Sequence, residues 1–208
     1  MIIPMEYTHL GYDFLDATSD GSTHSGVDLN QGSGDDDLGK DIKCMANGQV
    51  VLAEDSGVGW GKLIVIHHPD LNIWSRYAHL KDFSVSVGED VSENQVIGHC
   101  GNTGGDWTAH LHWDIIIKEL ETSWKEYTKN WSVDKTEQYY TNPITFVTNN
   151  LTNDMPDPNE ENLEPWQTEA KTWAIANEVS TGTRPNDPIT RVELWKTLKN
   201  YHEKFNNS

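Results

Sequence analysis

Gly101-Asn102-Thr103-Gly104-Gly105-Asp106-Trp107-Thr108-Ala109-His110-Leu111-His112-Trp113-Asp114 is the stretch on which the reading of this chain turns. A glycine-rich turn leads into His110-Leu111-His112-Trp113-Asp114-Ile115-Ile116-Ile117, which is rich in Trp and Ile and free of Gly and Pro. That composition predicts a strand. Alternation along a strand puts His110 and His112 on one face, roughly 7 Å apart at the backbone. Paired imidazoles are poor core material. They suit a single metal ion with a catalytic base beside it, the alternative being two solvated histidines on an edge strand.

Two upstream clusters favour the metal. His24-Ser25-Gly26-Val27-Asp28 offers an imidazole and a carboxylate four residues apart, and Tyr77-Ala78-His79-Leu80 offers another imidazole. Zinc accepts nitrogen and carboxylate ligands, and a catalytic site uses three of them with a position left for water. One Asp and two His meet that count, with two histidines to spare. His24 and Asp28 share a face in either a helix or a strand. Gly26 and the β-branched Val27 disfavour helix, so a short strand or loop is expected there.

The chain has 208 residues, 36% of them apolar, with nine Trp, seven Tyr and four Phe. That is enough for one sizeable domain and a small appendage. No apolar run approaches the roughly 20 residues needed to span a membrane. The opening Met1-Ile2-Ile3-Pro4-Met5-Glu6 lacks the basic and apolar regions of a secretory signal peptide. The expectation is a processed chain, or one that leaves its cell by lysis or another carrier. A net charge of −18 argues against nucleic acid and against anionic surfaces held by bulk charge. Cys44 and Cys100 both sit in strand-like text without C-x-x-C spacing, and buried free thiols are expected.

From about 41 to 117 the pattern is short strands and turns, predicting an antiparallel sandwich or barrel with little helix. Asn47-Gly48 reads as a hairpin turn between 42–46 and 49–53. Residues 62–67 and 74–79 flank the turn 69–72, 83–87 alternates with period two, and 96–100 is a further strand. His67, His68 and His99 have no motif partners in sequence and read as structural or as supports behind a site. The acidic run Gly32-Ser33-Gly34-Asp35-Asp36-Asp37-Leu38-Gly39 lacks the ligand spacing of a calcium loop and reads as a solvated loop.

Taken in order, His24-Ser25-Gly26-Val27-Asp28, Asn47-Gly48-Gln49-Val50-Val51, Tyr77-Ala78-His79-Leu80, Gly98-His99-Cys100-Gly101-Asn102-Thr103-Gly104 and His110-Leu111-His112-Trp113 resemble the lysostaphin and LytM family of zinc metallopeptidases. The resemblance covers about residues 20–118. It implies a mainly β fold, an antiparallel sheet with a groove, holding one Zn²⁺ and cleaving peptide stems or cross-bridges of bacterial peptidoglycan. Carried over by position, His24, Asp28 and His112 would hold the zinc, and His79 and His110 would line its open side. There is no His-Glu-x-x-His, so no motif glutamate serves as general base; His79 and His110 would do the acid–base work. The acidic loop exceeds a short family linker, which implies a remodelled groove rim. Residues 18–23 carry no aromatic, so the tyrosine that the family places upstream of its first histidine is not identified.

The expected organisation is a peptidase domain over 1–148, a linker over 149–162 and a helical module over 163–208. Residues 119–147, with Trp124, Tyr127, Trp131, Tyr139 and Tyr140, are expected to wrap the β core. The linker is polar, acidic and proline-bearing. Beyond it, Trp166, Ala170, Trp173 and Ala174 share one helix face, and Thr190-Arg191-Val192-Glu193 is a capping box for a second helix. The stretch 180–194 resembles an S-layer-homology repeat, as appended to phage endolysins, implying a cell-wall ligand or self-association, the alternative being a helical hairpin docked on the catalytic domain. Such a protein would act at the bacterial cell wall, outside the cytoplasm, in the manner of a phage lysin. Two other readings stand beside the enzyme: a non-catalytic regulatory or binding module of the same fold, and a phosphohistidine carrier. The H-x-H and His-x-x-x-Asp spacing is the wrong pattern for phosphate relay.

Overall fold

The run Leu63-Ile64-Val65-Ile66, buried on both faces of β5 (Lys62–His68), forms the middle of an antiparallel sheet. In the computed structural model, which describes residues 1–153 apart from 20, 122, 126 and 127, Met1–Val147 is one compact unit. The large sheet runs β1 (His9–Leu10), β2 (Val27–Asn30), β10 (Leu111–Ile116), β6 (Ile73–Leu80), β5, β4 (Gly48–Asp55) and β8 (Asp90–Val91). β11 (Tyr140–Thr141) pairs with the far end of β10. A second sheet is β3 (Asp41–Lys43), β9 (Val96–His99) and β7 (Asp82–Phe83). Every pairing is antiparallel, so the mainly β expectation holds.

The β5–β6 hairpin forms across the 69–72 turn that its two segments were expected to flank. The hairpin expected at Asn47-Gly48 does not. β3 pairs with β9, while β4 pairs with β5 and β8, so this dipeptide carries the chain from one sheet to the other. Its groups are committed elsewhere: Asn47 O accepts from His68 Nδ1 at 2.9 Å and Asn47 Oδ1 from Glu93 N–H at 2.8 Å. Gly48 permits close approach, since a Cβ there would lie 2.4 Å from His67 O. The period-two text over 83–87 yields a strand only to Phe83, after which the chain bends into the turn at Gly88.

Cys44 and Cys100 are free and buried, and burial pushes their thiols up to about 11 and about 12. His67 stacks on Trp74, His68 is buried, and His99 pairs with Asp82, so all three are structural. Leu120, Tyr139 and Tyr140 pack on Ile116 with Phe14, Trp74, Trp124 and Trp131, the aromatic wrap expected of this segment. Within it, Ser132 caps α1 (Val133–Tyr139) by accepting from Lys135 N–H. α2 (Pro143–Asn153) begins where Asn142 Oδ1 accepts from Thr145 N–H, and it runs past the expected start of the linker at 149. The rest of that linker and the 163–208 module lie outside the described residues. Among the described residues no helix is long and apolar enough to cross a membrane.

Candidate metal centre and active site

Sheet register brings the first two groups together: Asp28 on β2 stands directly opposite His112 on β10. His24 precedes β2, in a segment tied to its neighbour by Leu15 N–H to His24 O and His24 N–H to Asp16 O. All three side chains are buried, and one donor atom from each lies within 4.8 Å of the others. His24 Nε2 and His112 Nδ1 are 3.0 Å apart, and they lie 3.1 and 3.0 Å from Asp28 Oδ1.

The outer ring nitrogens decide what those contacts mean. His24 Nδ1 is 3.0 Å from Asp13 O, a carbonyl that can only accept, so the ring proton sits on Nδ1. His112 Nε2 likewise donates to Asp114 Oδ2 at 3.1 Å. With both rings neutral, the inner atoms are then two nitrogen lone pairs and a carboxylate oxygen, and a proton on His112 or a metal ion relieves their repulsion. The donor set therefore fits a divalent metal with nitrogen and oxygen preference.

Charge around the cluster points the same way. Burial alone would raise Asp28, but hydrogen bonds and charge from His112 and His24 hold its carboxyl well below the usual range. Burial likewise opposes a proton on His112, and bonds to Asp114 and Asp28 overcome it and raise its pKa. Both shifts describe a cluster that wants a positive charge at its centre. Asp114 stays ionised because the Arg76 guanidinium and His112 outweigh its burial. Arg76 Cζ lies 3.9 Å from the Trp60 ring centroid, and Nη1 donates to Trp124 O at 2.9 Å.

His79 and His110 close the remaining side. A register slip in β6 between the Tyr77 and Leu80 pairings inserts an extra residue, and His79 lies in that bulge with φ 62°. A non-glycine residue there carries strain of order 1 kcal/mol or more, which the surroundings must hold in place. Two glycine loops do so. His79 N–H donates to Trp60 O at 3.0 Å, and Gly59 N–H to Gly104 O at 2.7 Å. Gly104 has φ 99°, and a Cβ there would lie 2.1 Å from Gly59 O. The ring itself donates from Nδ1 to Thr103 O at 3.1 Å. His110 repeats the pattern, donating from Nδ1 to Thr108 O at 2.8 Å. Its Nε2 reaches to 3.9 Å from Asp28 Oδ2, and the His79 and His110 ring centroids are 4.8 Å apart. All four histidines thus turn a lone pair inward. Burial, then the nearby His110 and His112, hold His79 well below the usual histidine range, so it is neutral at neutral pH.

The structure therefore gathers all five residues singled out from the sequence, and adds others. Trp60 floors the site, its ring centroid 4.9 Å from that of His112. Trp107, 39% exposed, stands edge-on to His79 at 4.9 Å. Upstream of the 18–23 window, Tyr12 places its ring centroid 5.6 Å from that of His24. Only the fold shows this, because the chain between Tyr12 and His24 loops out before returning. The signal for Trp60 was available in Gly57-Val58-Gly59-Trp60-Gly61, glycines spaced for a backbone packed against another.

A sheet presenting two imidazoles and a carboxylate to one cation, with two more imidazoles on its open side, defines a metallopeptidase type of site. Residues 22–124 match the model of peptidase family M23, and the chain belongs to that family as a lysostaphin/LytM-type peptidase. Lysostaphin of Staphylococcus simulans is 30% identical over 113 residues, which is 54% of this chain and 22% of that protein. Its catalytic domain, described as that of an antimicrobial peptidase, superposes with TM-score 0.50 at 25% identity, covering 67% of this chain and 91% of that one. The peptidoglycan DD-endopeptidase ShyA of Vibrio cholerae is 33% identical over 81 residues, 39% of this chain and 18% of that protein. Lipoprotein NlpD of Yersinia enterocolitica is 38% identical over 80 residues, 38% of this chain and 80% of that protein. The chain thus spans about a fifth of the length of lysostaphin and ShyA.

Proposed function

We propose that this protein is a zinc-dependent endopeptidase that hydrolyses peptide bonds in bacterial peptidoglycan, acting at the cell wall. The observation that carries the reading is the convergence of His24 Nε2, His112 Nδ1 and Asp28 Oδ1 within 3.1 Å of one another, with His79 and His110 alongside. In this reading His24, Asp28 and His112 hold the ion. Bound Zn²⁺ supplies Lewis acidity and lowers the pKa of a water toward about 7.

The chain's own groups do the rest. His110, its proton fixed on Nδ1 by Thr108 O, presents Nε2 to take the proton of the attacking water and return it to the leaving nitrogen. His79, kept neutral by burial, offers Nε2 as a second acceptor that orients the water or the substrate N–H. Trp60 and Arg76 beneath His112 shield the ligand side from solvent. Tyr12 and Trp107 stand on opposite flanks, beside His24 and His79 respectively, as walls for an extended peptide. The peptidoglycan assignment draws on the name of the relative ShyA and on the family membership. In the proposed organisation this chemistry belongs to 1–148, with 163–208 engaging the wall or a second copy.

The test is digestion of purified cell walls of several peptidoglycan types, with zinc-loaded and chelator-treated protein, and mass spectrometry of the released fragments. Zinc at about one per chain and new amino termini that vanish with chelator are expected. Bound zinc with no released peptide would leave a binding module as the better account.

A further inference from the structure

The acidic run 32–39 touches the active site at one atom. Asp35 Oδ1 accepts the Ala109 N–H at 2.9 Å. That N–H belongs to the Thr108–Ala109 peptide, and the carbonyl of the same peptide, Thr108 O, accepts from His110 Nδ1 at 2.8 Å. A carboxylate, a peptide group and an imidazole therefore form a single chain of hydrogen bonds ending on His110.

The loop is built to hold this contact. Asp37 is buried, accepting Gln31 N–H at 3.0 Å and Lys40 Nζ at 2.8 Å. Gly39 N–H to Cys100 O and Cys100 N–H to Lys40 O, both 2.8 Å, clamp its exit against the segment leading to His110. Gly101 and His110 are themselves bridged, so Asp35 and the imidazole belong to one braced unit.

We propose that Asp35 is a positioning residue for His110, acting through the Thr108–Ala109 peptide. Two effects follow from the geometry. Hydrogen bonds in series polarise one another, so a carboxylate on the N–H makes Thr108 O a stronger acceptor for the ring proton. The bond also stops the peptide from flipping. Flipped, it would aim the Ala109 N–H at the ring, move the ring proton to Nε2, and remove the lone pair that His110 needs as a base. The inference rests on His110 being the general base, but its geometric part is observable without turnover.

The experiment uses zinc-loaded, full-length protein with ¹⁵N-labelled histidine. Ring nitrogen shifts report the His110 tautomer without substrate; kinetics on purified cell wall follow in parallel. Asp35→Ala should move His110 toward the Nε2–H tautomer and lower kcat about tenfold, the loss of one charge-assisted hydrogen bond, with KM and zinc content unchanged. Asp35→Asn, whose amide oxygen still accepts, should restore the Nδ1–H tautomer and most of kcat. Asp36→Ala, on the same loop, should match the wild type. In Ala109→Pro, which has no N–H to hold, adding Asp35→Ala should change nothing further. An unchanged tautomer in Asp35→Ala, or an equal fall in Asp36→Ala, overturns the proposal. If Asp35→Ala fails to fold, Asp35→Leu, which fills the same space but cannot accept the Ala109 N–H, takes its place in both comparisons, and an unchanged His110 tautomer there overturns the proposal. A wild type with the Nδ1–H tautomer but no activity would count against the endopeptidase reading alone.

Discussion

Asp114 Oδ2 accepts the Arg76 Nε–H at 3.0 Å, with neither side chain exposed to solvent. The same oxygen accepts from His112 Nε2 at 3.1 Å and from Ser25 Oγ at 3.1 Å. A buried carboxylate is costly unless its charge is met, and here Arg76 meets it. The pair thereby fixes the ring orientation and tautomer of a ligand histidine, the arrangement that tunes metal sites from behind.

Weakening that support should loosen the metal. Asp114→Asn is expected to lower zinc affinity about 10- to 100-fold, read by competition with a chromogenic chelator. Arg76→Met leaves the buried Asp114 carboxylate without its guanidinium, and should cost about 3–5 kcal/mol in urea unfolding. An Arg76→Met protein as stable as the wild type would mean that Asp114 finds compensation elsewhere.

Ligand and proton-transfer roles separate by mutation. His112→Ala should lose the zinc itself. His79→Ala should keep it and lose about 10²–10⁴ in rate. Metal analysis and turnover on the same preparations distinguish them, and equal zinc loss in both would contradict the division.

The buried histidines set a pH dependence in chelator-treated protein. The folded pKa of His79 is depressed, by burial first and then by His110 and His112. Its contribution is therefore whole above the unfolded value of about 6.5 and is lost as pH falls toward the folded value. His112 is raised, so its contribution is present below about 6.5 and lost as pH rises through its folded pKa. Melting temperature should drop on the acid side in the wild type, and drop less in His79→Gln. Parallel acid limbs in the two proteins would show that His79 does not carry the effect.

Gly104→Ala probes the interlocked loops. At φ 99°, with a Cβ 2.1 Å from Gly59 O, the substitution must push Thr103 and its carbonyl away from His79. A loss of about 1–3 kcal/mol in stability is expected. The fall in kcat should exceed that of Gly57→Ala, where a Cβ would meet nothing within 4 Å. Equal kcat in the two variants would show that the loops do not hold His79 through this contact.

Chemistry and strand periodicity were legible without coordinates. The H-x-H pair, the His-x-x-x-Asp pair and the isolated His79 announced donors, and runs rich in β-branched and aromatic residues bounded by turns placed 62–67, 74–79 and 110–117 on strands. The Asn47-Gly48 reading failed for a physical reason: that dipeptide serves either a tight turn or a close backbone approach, and local sequence does not say which.

Tertiary structure alone settled the rest. Asp28 faces His112 because of β-sheet register, a pairing between segments 84 residues apart that no local pattern encodes. The tautomers of His24, His79, His110 and His112 depend on acceptors brought in from Asp13, Thr103, Thr108 and Asp114. Tyr12 and Asp35 reach the site only because the chain loops back to it. The sequence by itself determined which atoms could bind a cation; the packed fold decided where their protons sit, because only long-range contacts supply the partners that choose between ring nitrogens.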